Sequence, residues 1–417
     1  MANNKPALLI TLALAAQITL SSSLFTRDLT QPVVPQQCDN TFIKNLIPAG
    51  YPFENYRKTT DDGYILTMFR IQKKGTTITS GKPVIYLQHG LYNGGGAFFL
   101  NTEDQAAPFI FANAGFDVWV GNNRGSRYSR SHVSLSPTDK AFWDFSFDEM
   151  AKYDVPANIA LIREITGVEK LTYIGHSMGT TQMFAALSDP AIRPKVAPFI
   201  HQYHALAPIV FMNQPQGGPP QELAALLFGQ AKQVLATGVN YFKIGSCVFD
   251  KKTVEYLDTY CNANKLTCAK KYSIRWGISP TTAAKVDNWA RFGYHAVVDK
   301  SGASTGNVIH LGQLVNAQIK TPGVFPKYDY GAAVNKKKYG TAQPPLYNLQ
   351  LIKETIRLWV GTEDVVATIP EATNLVKAVS NADIKMTTIQ GWDHDSFKLA
   401  LQASTLYSKI IDVIKRG

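Results

Sequence analysis

Along this chain, short apolar runs alternate with longer stretches whose apolar residues recur at helical spacing. Pro83 to Gln88 (PVIYLQ) and Phe116 to Val120 (FDVWV) carry no polar alternation, which predicts strands buried on both faces of a parallel sheet. Phe199 to Leu206, Thr355 to Val360 and Ile384 to Ile389 read as further strands. Asp104 to Ala114, Phe145 to Ile165 and Pro370 to Val379 read as helices, the second kinked at Pro156, and a closing helix starts at Ser396. A turn at Asp61-Asp62-Gly63 precedes the β-prone run Tyr64 to Ile71, with Thr76 to Thr79 as a candidate hairpin partner. Strand and helix alternating in this order predict an α/β fold with a mostly parallel central sheet and helices on both faces.

After Ala207-Pro208 that rhythm breaks. Gln214 to Pro220 (QPQGGPP) looks like a linker, and from there to about Pro345 strands are scarce while helical, aromatic segments dominate. The expected organisation is therefore a leader over 1–23, a first core part over 24–208, an inserted helical cap and lid over 209–345, and a second core part over 346–417. An insertion at a strand's carboxyl end sits over whatever chemistry the sheet carries.

The leader reading rests on Lys5, the apolar run Ala7 to Leu20 and the small residues Ser21 to Ser23, the pattern of a secretory signal peptide. No other stretch approaches the length of a membrane span, so the mature chain is expected to lack one; a monomer is expected. The formal charge is +11, and it drops by one with Lys5. Such a balance favours anionic partners, but nothing resembles a nucleic-acid module, and the run Asn335 to Tyr339 (NKKKY) reads as a solvated loop. Four cysteines in an exported chain permit disulfides. Cys247, Cys261 and Cys268 lie close together while Cys38 stands alone, which favours one local bridge. There is no Asn-X-Ser/Thr glycosylation site.

The chemistry centres on Leu171 to Thr181 (LTYIGHSMGTT). A β-prone run meets Gly175-His176-Ser177-Met178-Gly179 and then a helical stretch, which is the nucleophile-elbow pattern G-x-S-x-G. Ser177 needs a base, and His394, the last histidine in the chain, follows the last strand. Asp364 follows the strand before it and completes the order serine, acid, histidine; Glu363, Asp393 and Asp395 are the rivals for the acid. Leu91, after His89-Gly90, and Met178, after the serine, are the expected backbone donors of an oxyanion hole. His89 is expected to orient its loop by hydrogen bonding. Arg124, Arg127 and Arg130 suit either loop bonding or an anionic group. No cofactor or metal is called for, and Gly94 to Gly96 lack the context of a phosphate cradle.

From about Ile47 onward the chain resembles the acid lipases of the α/β-hydrolase fold, the group of gastric and lysosomal acid lipases. The blocks GYPFENYRKTTDDGYIL, YLQHGL, GNNRGSRYSR, FWDFSFDEMAKYDVPA, IGHSMGTT, VGTEDVVA and DHDSF carry the likeness. The resemblance implies hydrolysis of triacylglycerols or sterol esters at a lipid–water interface, outside the cell or in a lysosome-like compartment. It also implies Ser177, Asp364 and His394 as triad, Leu91 and Met178 as oxyanion hole, a movable lid, and a Cys247–Cys261 disulfide, with Cys261–Cys268 as the alternative. A soluble-ester or thioester hydrolase, an acyltransferase, or an inert lipid-binding protein on the same scaffold are the other readings.

Overall fold

The structure is a computed structural model describing residues 43, 46–212, 220–238, 241–242, 251–273, 280–298 and 301–417. The leader, the Pro-rich stretch after it, Cys38, Cys247 and parts of the expected lid lie outside the described residues.

Two strands, β1 (Phe53–Thr59) and β2 (Tyr64–Ile71), form an antiparallel hairpin around Asp61-Asp62-Gly63. The partner of Tyr64–Ile71 thus precedes it, and Thr76–Thr79 lies outside any strand; there the chain instead feeds single bonds to side chains, Gln72 Nε2 donating to Thr79 O at 2.7 Å. The parallel strands β3 (Val84–Gln88), β4 (Asp117–Gly121), β6 (Leu171–His176) and β7 (Ile200–Leu206) follow, with a two-residue β5 (Ser131–His132) between β4 and β6 that pairs antiparallel with β2. After the insertion, which includes the short pair β8 (Tyr241–Phe242) and β9 (Ala303–Ser304), come β10 (Ile356–Gly361) and β11 (Ile384–Ile389). The main sheet runs β1-β2-β4-β3-β6-β7-β10-β11, with β5 beside β2. All pairings from β4 to β11 are parallel. β3, β4 and β6 are buried at every position, as strands covered on both faces must be.

Helices cover the faces: α1 (Ala107–Asn113), α2 (Val155–Thr166) and α3 (Met178–Ser188) in the first part. The helix expected across Phe145 to Ile165 is divided by a π-helical turn, Met150–Asp154, directly before Pro156. Proline brings no N–H to the helical ladder, and the wider turn accommodates that gap.

The connection between β7 and β10 carries α4 (Pro220–Leu235), α5 (Lys251–Ala263), α6 (Lys265–Ser273), α7 (Pro280–Val286), α8 (Phe292–Val298), α9 (Thr305–Lys320) and α10 (Ala332–Tyr339). The lysine run expected in a loop is the last turn of α10. There the cations face the helix's negative end, and Lys338 Nζ stands 3.9 Å from the Tyr330 ring centre. Cys261 at the end of α5 is bonded to Cys268 in α6, with Cα atoms 5.6 Å apart. This replaces the expected Cys247–Cys261 pair: the break at Asn264 folds two helices back on each other and brings residues seven apart into bonding range. The chain closes with α11 (Ile369–Ala378), α12 (Ser396–Leu399) and α13 (Ala403–Arg416). No helix among the described residues is long and apolar enough to cross a membrane.

Candidate active site

β6 ends on Ser177, whose backbone sits at φ 55 and ψ −127. A non-glycine residue held there stores about 1–3 kcal/mol of strain, so the surroundings must hold it. They do so by backbone contact. Ser177 N donates to Leu206 O at 3.0 Å and Thr180 N to Ser177 O at 2.7 Å. A Cβ on Gly175 would stand 2.8 Å from Gly179 C, and one on Gly179 would stand 2.3 Å from Gln88 O. Both glycines of the elbow are therefore required by closure of strand on helix, and the second also by closure on β3.

His394 arrives from the loop after β11. Its Nε2 is 2.8 Å from Ser177 Oγ and its Nδ1 is 2.9 Å from Asp364 Oδ2. Asp364 is buried at the end of β10, where its other oxygen accepts the N–H groups of Val366 and Ala367, both at 2.8 Å. With Oδ1 held by backbone, Oδ2 is aimed at the imidazole. Burial pulls the His394 imidazole down, but the charge and hydrogen bond of Asp364 outweigh it, and its pKa lies above the ordinary histidine value.

The rival carboxylates bond elsewhere. Asp393 Oδ1 accepts the N–H groups of Asp395 and Ser396 at 2.9 and 3.0 Å, and Asp395 pairs with Lys398 at 2.8 Å. The half-buried Glu363 is tied through its backbone, donating to Trp392 O at 2.9 Å. Gly361, just before, has Trp392 O only 2.2 Å from its missing Cβ, so the acid loop and the histidine loop touch main chain to main chain.

The loop after β3 lies against Ser177, since a Cβ on Gly90 would be 2.7 Å from Ser177 Cβ and 3.1 Å from its Oγ. Leu91 follows directly on that glycine. Met178 opens α3, where first-turn N–H groups have no acceptor within the helix. His89 fixes this loop: its Nε2 accepts Asn123 N–H at 3.0 Å, which leaves Nδ1 to donate to Gly90 O at 2.8 Å. Burial lowers its pKa to about 4, so it stays neutral and does no proton transfer near neutrality.

Residues 43–102 match a family described as a partial alpha/beta-hydrolase lipase region, and residues 83–206 match the alpha/beta hydrolase fold. Human lipase member N is 35% identical over 401 residues, which cover 93% of this chain and 94% of that protein. Human lipase member K is 34% identical, covering 87% of each chain, and the lysosomal acid lipase/cholesteryl ester hydrolase of Macaca fascicularis is 34% identical, covering 88% of each. The chain belongs to the acid lipase family of α/β-hydrolases. It is a carboxylic ester hydrolase.

In this lipase the insertion comes down onto the loop that carries His89 and Gly90. Only about 10 Å³ remains between His89, Gly90 and Met178 below and Ala303 and Asn307 above, room for about one water. A larger cavity of about 350 Å³ lies at the opposite ends of the strands, around Pro83, Phe116 and Lys170, away from the chemistry. Of the three loop arginines, Arg124 is structural, bonded to Asp62 at 2.6 Å and Asp154 at 2.6 Å. Arg130 stacks over the Trp143 ring at 4.8 Å.

Sequence reasoning missed two residues that hold the histidine loop. His176, inside the elbow motif, has its Nε2 2.8 Å from His394 O, and burial keeps it neutral, far below the usual histidine value. Its place beside the serine was the available signal. Asp287, from the insertion, accepts Ser396 Oγ–H at 3.0 Å; nothing local in the sequence marks it.

Proposed function

We propose that this chain is a lipase of the secretory pathway that hydrolyses triacylglycerols or sterol esters at a lipid–water interface through Ser177, His394 and Asp364. The observation that carries the reading is the pair of short contacts that link Ser177 Oγ to His394 and His394 to Asp364. The reaction follows from those contacts. His394 Nε2 takes the proton as Oγ attacks the ester carbonyl, and Asp364 stabilises the imidazolium that forms. The N–H groups of Leu91 and Met178 receive the oxyanion. Collapse expels the alcohol, protonated by His394, and leaves an acyl-serine that water, activated by the same imidazole, cleaves. The named substrates of relatives, cholesteryl esters in the macaque enzyme, support an apolar ester. Exposed Leu235, Tyr256, Tyr260 and Leu266, all on the insertion, support contact with lipid. The organisation into a core over 24–208 and 346–417 and a cap over 209–345 belongs to this reading, as does a monomeric enzyme acting outside the cell or in a lysosome-like compartment.

Triolein, cholesteryl oleate and a short soluble ester, each assayed with wild type and Ser177→Ala, test it. The expected result is wild-type turnover that rises on emulsions and a loss of about 10⁶-fold in the variant. Turnover confined to the soluble ester makes it an esterase, and full activity in Ser177→Ala refutes the nucleophile.

A further inference from the structure

The insertion reaches beneath the catalytic loops as well as over them. Asp287, after α7, forms an antiparallel bridge with Ala400, flanked by Asn288 N to Leu399 O at 2.7 Å and Leu401 N to Val286 O at 2.8 Å. Asn288 Nδ2 donates to Asn101 Oδ1 and Asn101 Nδ2 to Ala400 O, each at 2.9 Å. A few residues further on, Trp289 packs with Cys261, Cys268 and Ala283 against Val365, the neighbour of Asp364. The same stretch of insertion thus touches both loops that supply the triad's acid and base.

Between these contacts lies a closed set of carboxylates. Asp287, Asp393 and Asp395 are all buried. Ser396 Oγ is 3.0 Å from Asp287 Oδ1 and 3.1 Å from Asp393 Oδ1, and it accepts Asp393 N–H at 3.1 Å. Ser396 has one hydroxyl hydrogen. Asp393 Oδ1 already accepts two backbone N–H groups, so that hydrogen serves Asp287. The two carboxylates share one hydroxyl oxygen as neighbour, and both ionised they repel. Lys398, the cation facing them, is bonded to Asp395 at 2.8 Å. Asp395 is also faced by His295 and His394, and the His176 ring lies 5.2 Å from that of His394.

We infer that Asp287 is a positioning residue: held by the insertion, it fixes the His394 loop through Ser396 and shares one proton with Asp393, so that His394 keeps its place only while the pair is singly charged. This rests on the triad reading above. The electrostatics agree in sign. Burial and the neighbouring carboxylates hold Asp287 well above the ordinary carboxylate value, and burial and Asp395 push Asp393 up to about 6. Groups that bind protons more tightly when folded than unfolded lose stability for the fold as pH climbs. That loss begins at the unfolded value of ~4 and continues through the folded values.

Asp287→Asn and Asp287→Ala, with pH profiles on a short soluble ester and labelling by a serine-directed phosphonate, test the inference. In Asp287→Asn, neutral at every pH, the alkaline limb of kcat/KM is expected to move up by about one pH unit. Asp287→Ala, which keeps the main-chain bridge but removes the acceptor of the Ser396 hydroxyl, is expected to lose about tenfold to a hundredfold in kcat with KM within about twofold. Melting of wild type should fall from about pH 4 to 7 more steeply than melting of Asp287→Asn, which covers the case of an alanine variant that does not fold. Profiles and melting that match wild type in a labelled Asp287→Asn overturn the inference. A wild-type enzyme that resists the phosphonate overturns the triad reading itself, and the inference with it.

Discussion

At the carboxyl end of the sheet, main chain closes on main chain around the reacting atoms, whereas in the insertion helices close on one another around side chains. Gly90, Gly175, Gly179 and Gly361 each have a neighbour within 3 Å of where a Cβ would stand, and those neighbours are Ser177, Gly179 of the elbow, Gln88 at the end of β3 and Trp392 in the His394 loop. The insertion has close approaches too, Gly293 in α8 against Val254 O in α5 and Gly306 in α9 against Phe145 O of the core, but neither touches Ser177, Asp364 or His394. Its small cluster around Trp289 is stapled by one local disulfide, and Tyr256 and Tyr260 stack on its outer surface. The lesson is that errors in the first region move the chemistry for every ester. Errors in the second are expected to change which esters reach it, except where Asp287 and Trp289 meet the catalytic loops.

The sharpest break in that contrast is Asp364→Asn. With Asp364 Oδ2 no longer an anion 2.9 Å from His394, kcat should fall by about 10⁴ on soluble and emulsified esters alike. The remaining activity should also titrate at lower pH, because the charge that raises the His394 pKa is gone while the burial that lowers it remains. Steady-state kinetics across pH on both substrate forms check this; a loss confined to emulsions would erase the distinction. Next comes Arg124→Met, which leaves the buried Asp154 without the guanidinium 2.6 Å away. A cost of about 3–5 kcal/mol is expected in urea unfolding, with both ester types affected through lost fold. The smallest effect is expected for the double change Cys261→Ser and Cys268→Ser. Opening so short a covalent loop should cost about 2 kcal/mol locally, read as faster hydrogen exchange in α5 and α6, with turnover of a short soluble ester unchanged.

What could be read from sequence follows the same division. Buried parallel strands leave uninterrupted apolar runs, and an elbow leaves two glycines at fixed distance from a serine, so the mostly parallel sheet and the candidates Ser177, Asp364 and His394 were legible, while the order of the strands within the sheet was not. The hairpin partner of Tyr64–Ile71 was misplaced because Phe53–Thr59 is half exposed and its alternation is mixed with charge. The helix from Ser396 was expected to run unbroken. It stops at Leu399 and restarts at Ala403 because the insertion takes up the backbone groups at 399 and 401, a contact more than a hundred residues away in sequence. Asp287 was invisible for the same reason. The disulfide followed a family likeness rather than the local break at Asn264, and the local geometry decided it.

The insertion connects β7 to β10, two strands that lie side by side in register, Tyr203 beside Ile356 and Leu206 beside Trp359. Ladder bonds between those neighbours set where the excursion departs and where it returns, whatever is threaded between. The span can therefore lengthen, shorten or be grafted from a cousin without shifting a single rung of the sheet, provided the graft still presents an acid to Ser396.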